Sequence, residues 1–184
     1  MAIASSPSRY SSVAIWFHWT IAALVIVNLA IGLLHESLLK GVGWAMPVHI
    51  SFGLCVLILS VGRIAWRLMH PMPPMPTDIP QWQQVVGRAT HIALYALIIL
   101  LPLSGWLMVS GGTRPIGFFW VATAPKLPVS KAMSGFGHES HGVLGWLMLA
   151  LVVLHVAAAL RHHLILRDNI LARMIPGLAN DRVR

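Results

Sequence analysis

Charged residues are scarce in this sequence. They make up 10% of its 184 residues, and only five are acidic, whereas soluble domains carry about a quarter charged residues. The mean hydropathy is +0.76. These values exclude an ordinary soluble enzyme and predict a membrane-embedded chain. The formal charge of +8 fits basic residues that flank membrane helices, so we do not expect nucleic-acid binding.

Cysteine is almost absent. Cys55, the one cysteine, lies in an apolar run, so an internal disulfide is excluded and the thiol is interpreted as a small core side chain. The sequence also has no internal repeat and no low-complexity segment.

Long apolar runs are what the sequence has in abundance. Each is long enough for a helix that crosses a bilayer. We therefore predict an all-α integral membrane protein, a four transmembrane helix bundle within one membrane domain covering residues 1–184. Residues 69–80 are rich in proline and predict a connector, residues 81–88 could begin an interfacial helix, and residues 110–140 predict the longest loop. The predicted transmembrane helices cover residues 13–34, 48–68, 88–109 and 141–166.

The distribution of lysine and arginine predicts the orientation of this bundle. With four spans, both termini and the 69–88 connector share one side, which holds nine arginines. The other side holds four basic residues, so the positive-inside rule places both termini in the cytoplasm. The nine are Arg9, Arg63, Arg67, Arg88, Arg161, Arg167, Arg173, Arg182 and Arg184, and the four are Lys40, Arg114, Lys126 and Lys131.

Histidines occur at two matched depths. His141 and His155 are 14 residues apart, which is about 40° short of four turns and roughly 21 Å along a helix, so both leave one face. His49 lies near the start of the second span, at about the depth of His141. His18 lies near the start of the first span, at about the depth of His155. Imidazole within a bilayer is costly without a partner. We therefore predict two haems, the outer held by His49 and His141 and the inner by His18 and His155.

Small residues support this prediction. The position four residues after each proposed ligand lies on the same helix face, and it is alanine or glycine in all four cases, which leaves room for a porphyrin. Two alternatives remain for such histidines. They can be hydrogen-bonding partners between helices, or ligands of zinc, although the pairs lie about 20 Å apart and no cysteine or carboxylate joins them. The four small residues are Ala22, Gly53, Gly145 and Ala159.

Several segments resemble the bacterial cytochrome b561 family, over roughly residues 9–177. They are RYSSVAIWFHW, VHISFG, THIALYALIILLPLSGWLM and the stretch from His141 that ends in HH, RDN and RMIP. The resemblance implies a four-helix bundle in the bacterial inner membrane with two haem b groups, ligated as predicted above. Its best-described members are superoxide oxidases, superoxide:ubiquinone oxidoreductases. The matching positions imply that His91 and His162 contact ubiquinone. The alternative is that His162 and His163 are interfacial anchors.

The resemblance predicts an oxidoreductase that passes electrons from periplasmic superoxide through two haems to ubiquinone. Four outer cations could attract the superoxide anion, although each also fits a solvated loop charge. One alternative is a haem b anchor subunit that takes electrons from a partner dehydrogenase or hydrogenase. Another is a membrane scaffold or transporter without haem. The cations are Lys40, Arg114, Lys126 and Lys131.

Overall fold

Four long helices dominate the computed structural model, which describes residues 10–70 and 79–178. All four are long and apolar enough to cross a membrane, which confirms the predicted four-span bundle. The predictions made for residues 1–9, 71–78 and 179–184 lie outside the described residues. The helices are α1 (Ser12–Leu34), α2 (Ala45–Met69), α3 (Gln81–Ser110) and α4 (Lys131–Arg161).

Two helices begin earlier than the hydrophobic runs. The α3 helix includes residues 81–88, in agreement with the interfacial helix start considered above. The α4 helix begins at Lys131, so the predicted loop of residues 110–140 is wrong over its last ten residues. The Ser130 side chain accepts a hydrogen bond from Met133 N at 3.2 Å and caps the helix. Hydropathy did not reveal this segment because it is less apolar than the run that follows it.

The remaining outer loop is docked on the bundle. It contains an antiparallel hairpin of β1 (Ile116–Phe118) and β2 (Ala122–Ala124). Ile116 is buried, and Phe119 N donates to Ser51 Oγ of α2 at 2.9 Å. Trp106 Nε1 of α3 donates to Pro125 O at 2.9 Å. These contacts fix the loop over the outer ends of α2 and α3.

The buried core lies at mid-height in the bundle. It is formed by one or two apolar side chains from each helix, and Met148 of α4 is only 1% exposed. Met148 lies seven residues from both His141 and His155, so the core separates the two histidine levels. The members are Ile21, Val25, Val56, Leu97 and Met148.

The four helices do not pack evenly. Within the described residues, α4 packs along α3, α3 along α2 and α2 along α1, whereas the backbone of α4 makes few close approaches to α1 or α2. Histidine rings from α1 and α2 meet rings from α4 across this wider separation. The wider side of the bundle therefore has room between helices at both histidine levels.

Candidate functional site

The outer histidines meet between α2 and α4. The ring centroids of His49 and His141 are 5.9 Å apart, with an angle of 86° between the ring planes. Imidazole nitrogen binds a metal at about 2 Å, and the ring centroid lies about 1 Å behind that nitrogen, so two rings on opposite sides of one metal ion are about 6 Å apart. The observed spacing therefore fits two imidazoles that would hold one metal ion.

Hydrogen bonds fix which nitrogen of each outer ring is free. His49 Nδ1 lies 3.2 Å from Asn28 O, and His141 Nδ1 lies 3.0 Å from Leu101 O. A carbonyl oxygen can only accept, so Nδ1 carries the hydrogen in both rings and Nε2 keeps its lone pair. Histidines that bind metals usually donate their other N–H in this way. Nε2 of both rings is therefore available to bind a metal.

Three histidines meet at the inner level. The ring centroids of His18 and His155 are 6.3 Å apart, close to the spacing of the outer pair. His91 of α3 also approaches His155, with 5.3 Å between centroids. Geometry alone therefore allows two partners for His155. The small residue Ala22 follows His18 by one turn, whereas Tyr95 follows His91, which favours His18 as the ligand.

A basic cluster that the sequence analysis did not identify borders the inner level. Arg63 Nε donates to the Tyr95 hydroxyl at 2.9 Å, and the Arg67 guanidinium lies 4.7 Å from the centroid of the Tyr95 ring. Arg63 is close enough to His18 and His155 to act on both electrostatically. The sequence signal for this cluster is an arginine inside a predicted span, which is costly without a function or a partner. The charge count used Arg63 only to predict the orientation of the bundle.

The C-terminal end of α4 changes its winding. Residues 162–166 form a π-helical turn, and Arg167 closes it in the left-handed conformation with φ 54°. Such turns occur frequently at functional sites. His162 Nδ1 lies 2.5 Å from Asp168 Oδ2, and Asp168 Oδ1 accepts from Ile170 N at 3.1 Å. Asp168 therefore fixes the His162 ring. The sequence alone does not indicate this contact, because it depends on the geometry of the turn.

The segment that follows this turn is hydrogen-bonded to α1. Trp19 Nε1 of α1 donates to Met174 O at 3.0 Å. Trp19 directly follows His18 in the chain, and Met174 follows the turn that holds His162. This bond joins α1, one residue after His18, to the segment that follows Asp168.

The four predicted anion-attracting cations are all exposed on the outer loops and at the start of α4. Lys126 is partly engaged, since its Nζ donates to Gly112 O at 2.5 Å. Exposure leaves the charges available to an anion arriving from solvent. The cations are Lys40, Arg114, Lys126 and Lys131.

Comparison with known proteins identifies the family. The profile described as prokaryotic cytochrome b561 matches residues 9–177. The chain belongs to the prokaryotic cytochrome b561 family. This b561 protein is thus a membrane-embedded haem b electron carrier, and the resemblance stated above is confirmed.

Named relatives match the b561 protein over nearly its whole length. Cytochrome b561 homolog 2 of Escherichia coli K12 is 33% identical over 98% of both chains. The probable superoxide oxidase CybB of Yersinia pestis is 31% identical over 91% of this chain and 96% of its own. Cytochrome b562 of Cereibacter sphaeroides is 29% identical over 90% of this chain and 94% of its own.

Proposed function

We propose that this protein is a superoxide oxidase of the bacterial inner membrane. Two superoxide anions on the periplasmic side are oxidised to dioxygen, and their two electrons, with two protons from the cytoplasmic side, reduce one ubiquinone to ubiquinol. The presence of histidine pairs at two depths is the observation that carries the proposal. The similarity to a probable superoxide oxidase supports the choice of donor.

Two haem b groups fit the two histidine levels. His49 and His141 would hold the outer haem, and His18 and His155 the inner haem. When bound, the haems supply carriers of single electrons. The protein holds the rings at a spacing that suits this, leaves Nε2 of the outer rings free to bind a metal, and keeps the two levels apart with the apolar core around Met148.

Ubiquinone would bind at the cytoplasmic side, near His91 and His162. The ring of His91 approaches that of His155, which supports a position for it near the proposed inner haem. His162 is held by the Asp168 carboxylate, and imidazole can carry protons near neutral pH. The pair of His162 and Asp168 is therefore suited to pass protons from the cytoplasm to the reduced quinone.

The outer cations give a testable electrostatic prediction. Replacement of Lys40, Arg114 and Lys131 with glutamine is expected to lower the second-order rate of the reaction with superoxide about tenfold at low salt, because basic groups raise the local anion concentration. The rate should also lose much of its dependence on ionic strength. Pulse-radiolysis or stopped-flow rates at several salt concentrations measure both effects. An unchanged rate and salt dependence would remove these residues from the proposal.

A second function is favoured by the outer hairpin. At its tip, Trp120 is 67% exposed and Val121 is 83% exposed, and exposed apolar groups of this kind can dock a partner protein. The protein would then be an anchor subunit that accepts electrons from a dehydrogenase or hydrogenase. The third expectation, a scaffold or transporter without haem, is set aside because the family binds haem b.

Stopped-flow mixing of the purified protein with superoxide tests the first function against the second. Fast reduction of the protein by superoxide alone, followed by reoxidation on addition of ubiquinone, is the expected result. Reduction that requires a partner protein would instead establish the anchor function. Mixing with superoxide dismutase present is the control for the identity of the donor.

A further inference from the structure

Two glycines touch the outer histidine rings from neighbouring helices. A Cβ atom placed on Gly32 of α1 would lie 2.9 Å from Cε1 of His49, and one placed on Gly105 of α3 would lie 2.9 Å from Cε1 of His141. Carbon atoms that are not bonded to each other do not approach so closely. Any larger residue at either glycine must therefore displace the histidine ring.

The same glycines expose the carbonyls that orient the rings. Gly32 follows Asn28 by four residues, and Gly105 follows Leu101 by four. Because Cα–Cβ bonds tilt toward the helix N-terminus, a side chain at these positions would cover the carbonyl one turn earlier. The side of that carbonyl that faces the neighbouring helix can accept from histidine Nδ1 only while the glycine leaves it open.

We propose that Gly32 and Gly105 are positioning residues that set the rotation and the Nδ1 hydrogen bond of His49 and His141. Each glycine and its carbonyl form a notch in one helix, into which a histidine from the next helix fits. Ser104 borders the second notch: its Oγ donates to Leu101 O at 2.7 Å and lies 3.1 Å from His141 Nδ1, from which it can accept as a second acceptor. The inference rests on the proposed assignment of His49 and His141 as outer-haem ligands.

The test replaces each glycine with alanine in the full-length protein carrying its haems. Loss of the group that accepts a hydrogen bond from a metal-binding histidine lowers metal affinity about 10- to 100-fold. Gly32→Ala and Gly105→Ala should therefore each lower the affinity for the outer haem by about that factor. The reduction potential of the outer haem should rise, because a weaker Nδ1 hydrogen bond makes imidazole a poorer electron donor. Spectroelectrochemical titration and haem content measure these effects, and the inner haem should not change.

Matched glycines provide the controls. Alanine at Gly87 of α3 or Gly135 of α4 would meet nothing within 4 Å, so both variants should leave both haems unchanged. If Gly105→Ala does not accumulate in membranes, Gly32→Ala tests the same feature on another helix. Ser104→Ala is a milder test of the second notch and should raise the outer-haem potential by less.

The outcomes separate this inference from the assignment it rests on. If Gly32→Ala and Gly105→Ala leave both potentials unchanged, or shift both haems equally, the glycines do not position the ligands. If alanine at His49 and His141 removes no haem, the ligand assignment itself is wrong. If those histidine variants lose the outer haem while the glycine variants keep it unaltered, only the notch inference fails.

Discussion

Alanine in place of His155 is expected to remove the inner haem and leave the outer haem in place. The haem content should fall from two per chain to about one, because His155 would be one of the two imidazoles that hold the inner haem. His18→Ala should affect the same haem. His49→Ala and His141→Ala should each remove the outer haem instead. A pyridine haemochrome assay gives the content, and redox titration shows which haem remains.

His138 offers a matched control for these variants. It lies on α4 three residues before His141 and is exposed, so His138→Ala should retain both haems. The informative comparison at the inner level is between His18 and His91, because both rings approach His155. If His91→Ala lost the inner haem and His18→Ala kept it, the assignment at that level would be reversed.

Phenylalanine in place of His162 or His91 is expected to slow ubiquinone reduction about 100-fold, the usual scale for loss of a proton-transferring group. Haem content and reduction of the protein by superoxide should stay unchanged, since neither residue is assigned to a haem or to the outer face. Turnover with a soluble ubiquinone analogue measures the first quantity, and single-turnover mixing without quinone measures the second.

Variants of His163 and Asp168 serve as comparisons for the His162 variant. His163→Phe changes the neighbouring residue and should have little effect, since no quinone contact is assigned to it. Asp168→Asn removes the negative charge that holds His162 and should slow quinone reduction less than His162→Phe. Equal losses in the His162 and His163 variants, or unchanged turnover in all of them, would argue against proton delivery by His162.

Much of the architecture could be predicted because membrane helices depend on local rules. Runs of apolar residues predicted the four helices, and helical periodicity placed His141 and His155 on one face. The meetings of His18 with His155 and of His49 with His141 followed from depth alone, and the structure brings both pairs together. Their role as haem ligands stays a prediction.

The features that were missed depend on contacts between distant segments. Nothing near Gly105 in sequence indicates that the His141 ring, 36 residues later, rests against it. The bond between Arg63 and Tyr95 likewise joins two helices. The bond of His162 to Asp168 depends on a π-helical turn that periodicity does not encode, and the polar start of α4 carries no hydropathy signal.

The apolar layer around Met148 has an electrical consequence. The described residues that form this core are all apolar and cannot carry a proton, so an electron that crossed it would move negative charge without a compensating proton. A transmembrane voltage changes the free energy of such a movement by about 2.3 kcal/mol per charge for each 100 mV, if the charge crosses the whole bilayer. In an energised cell whose interior is negative, inward transfer would be opposed, and collapsing the voltage with an ionophore should accelerate it.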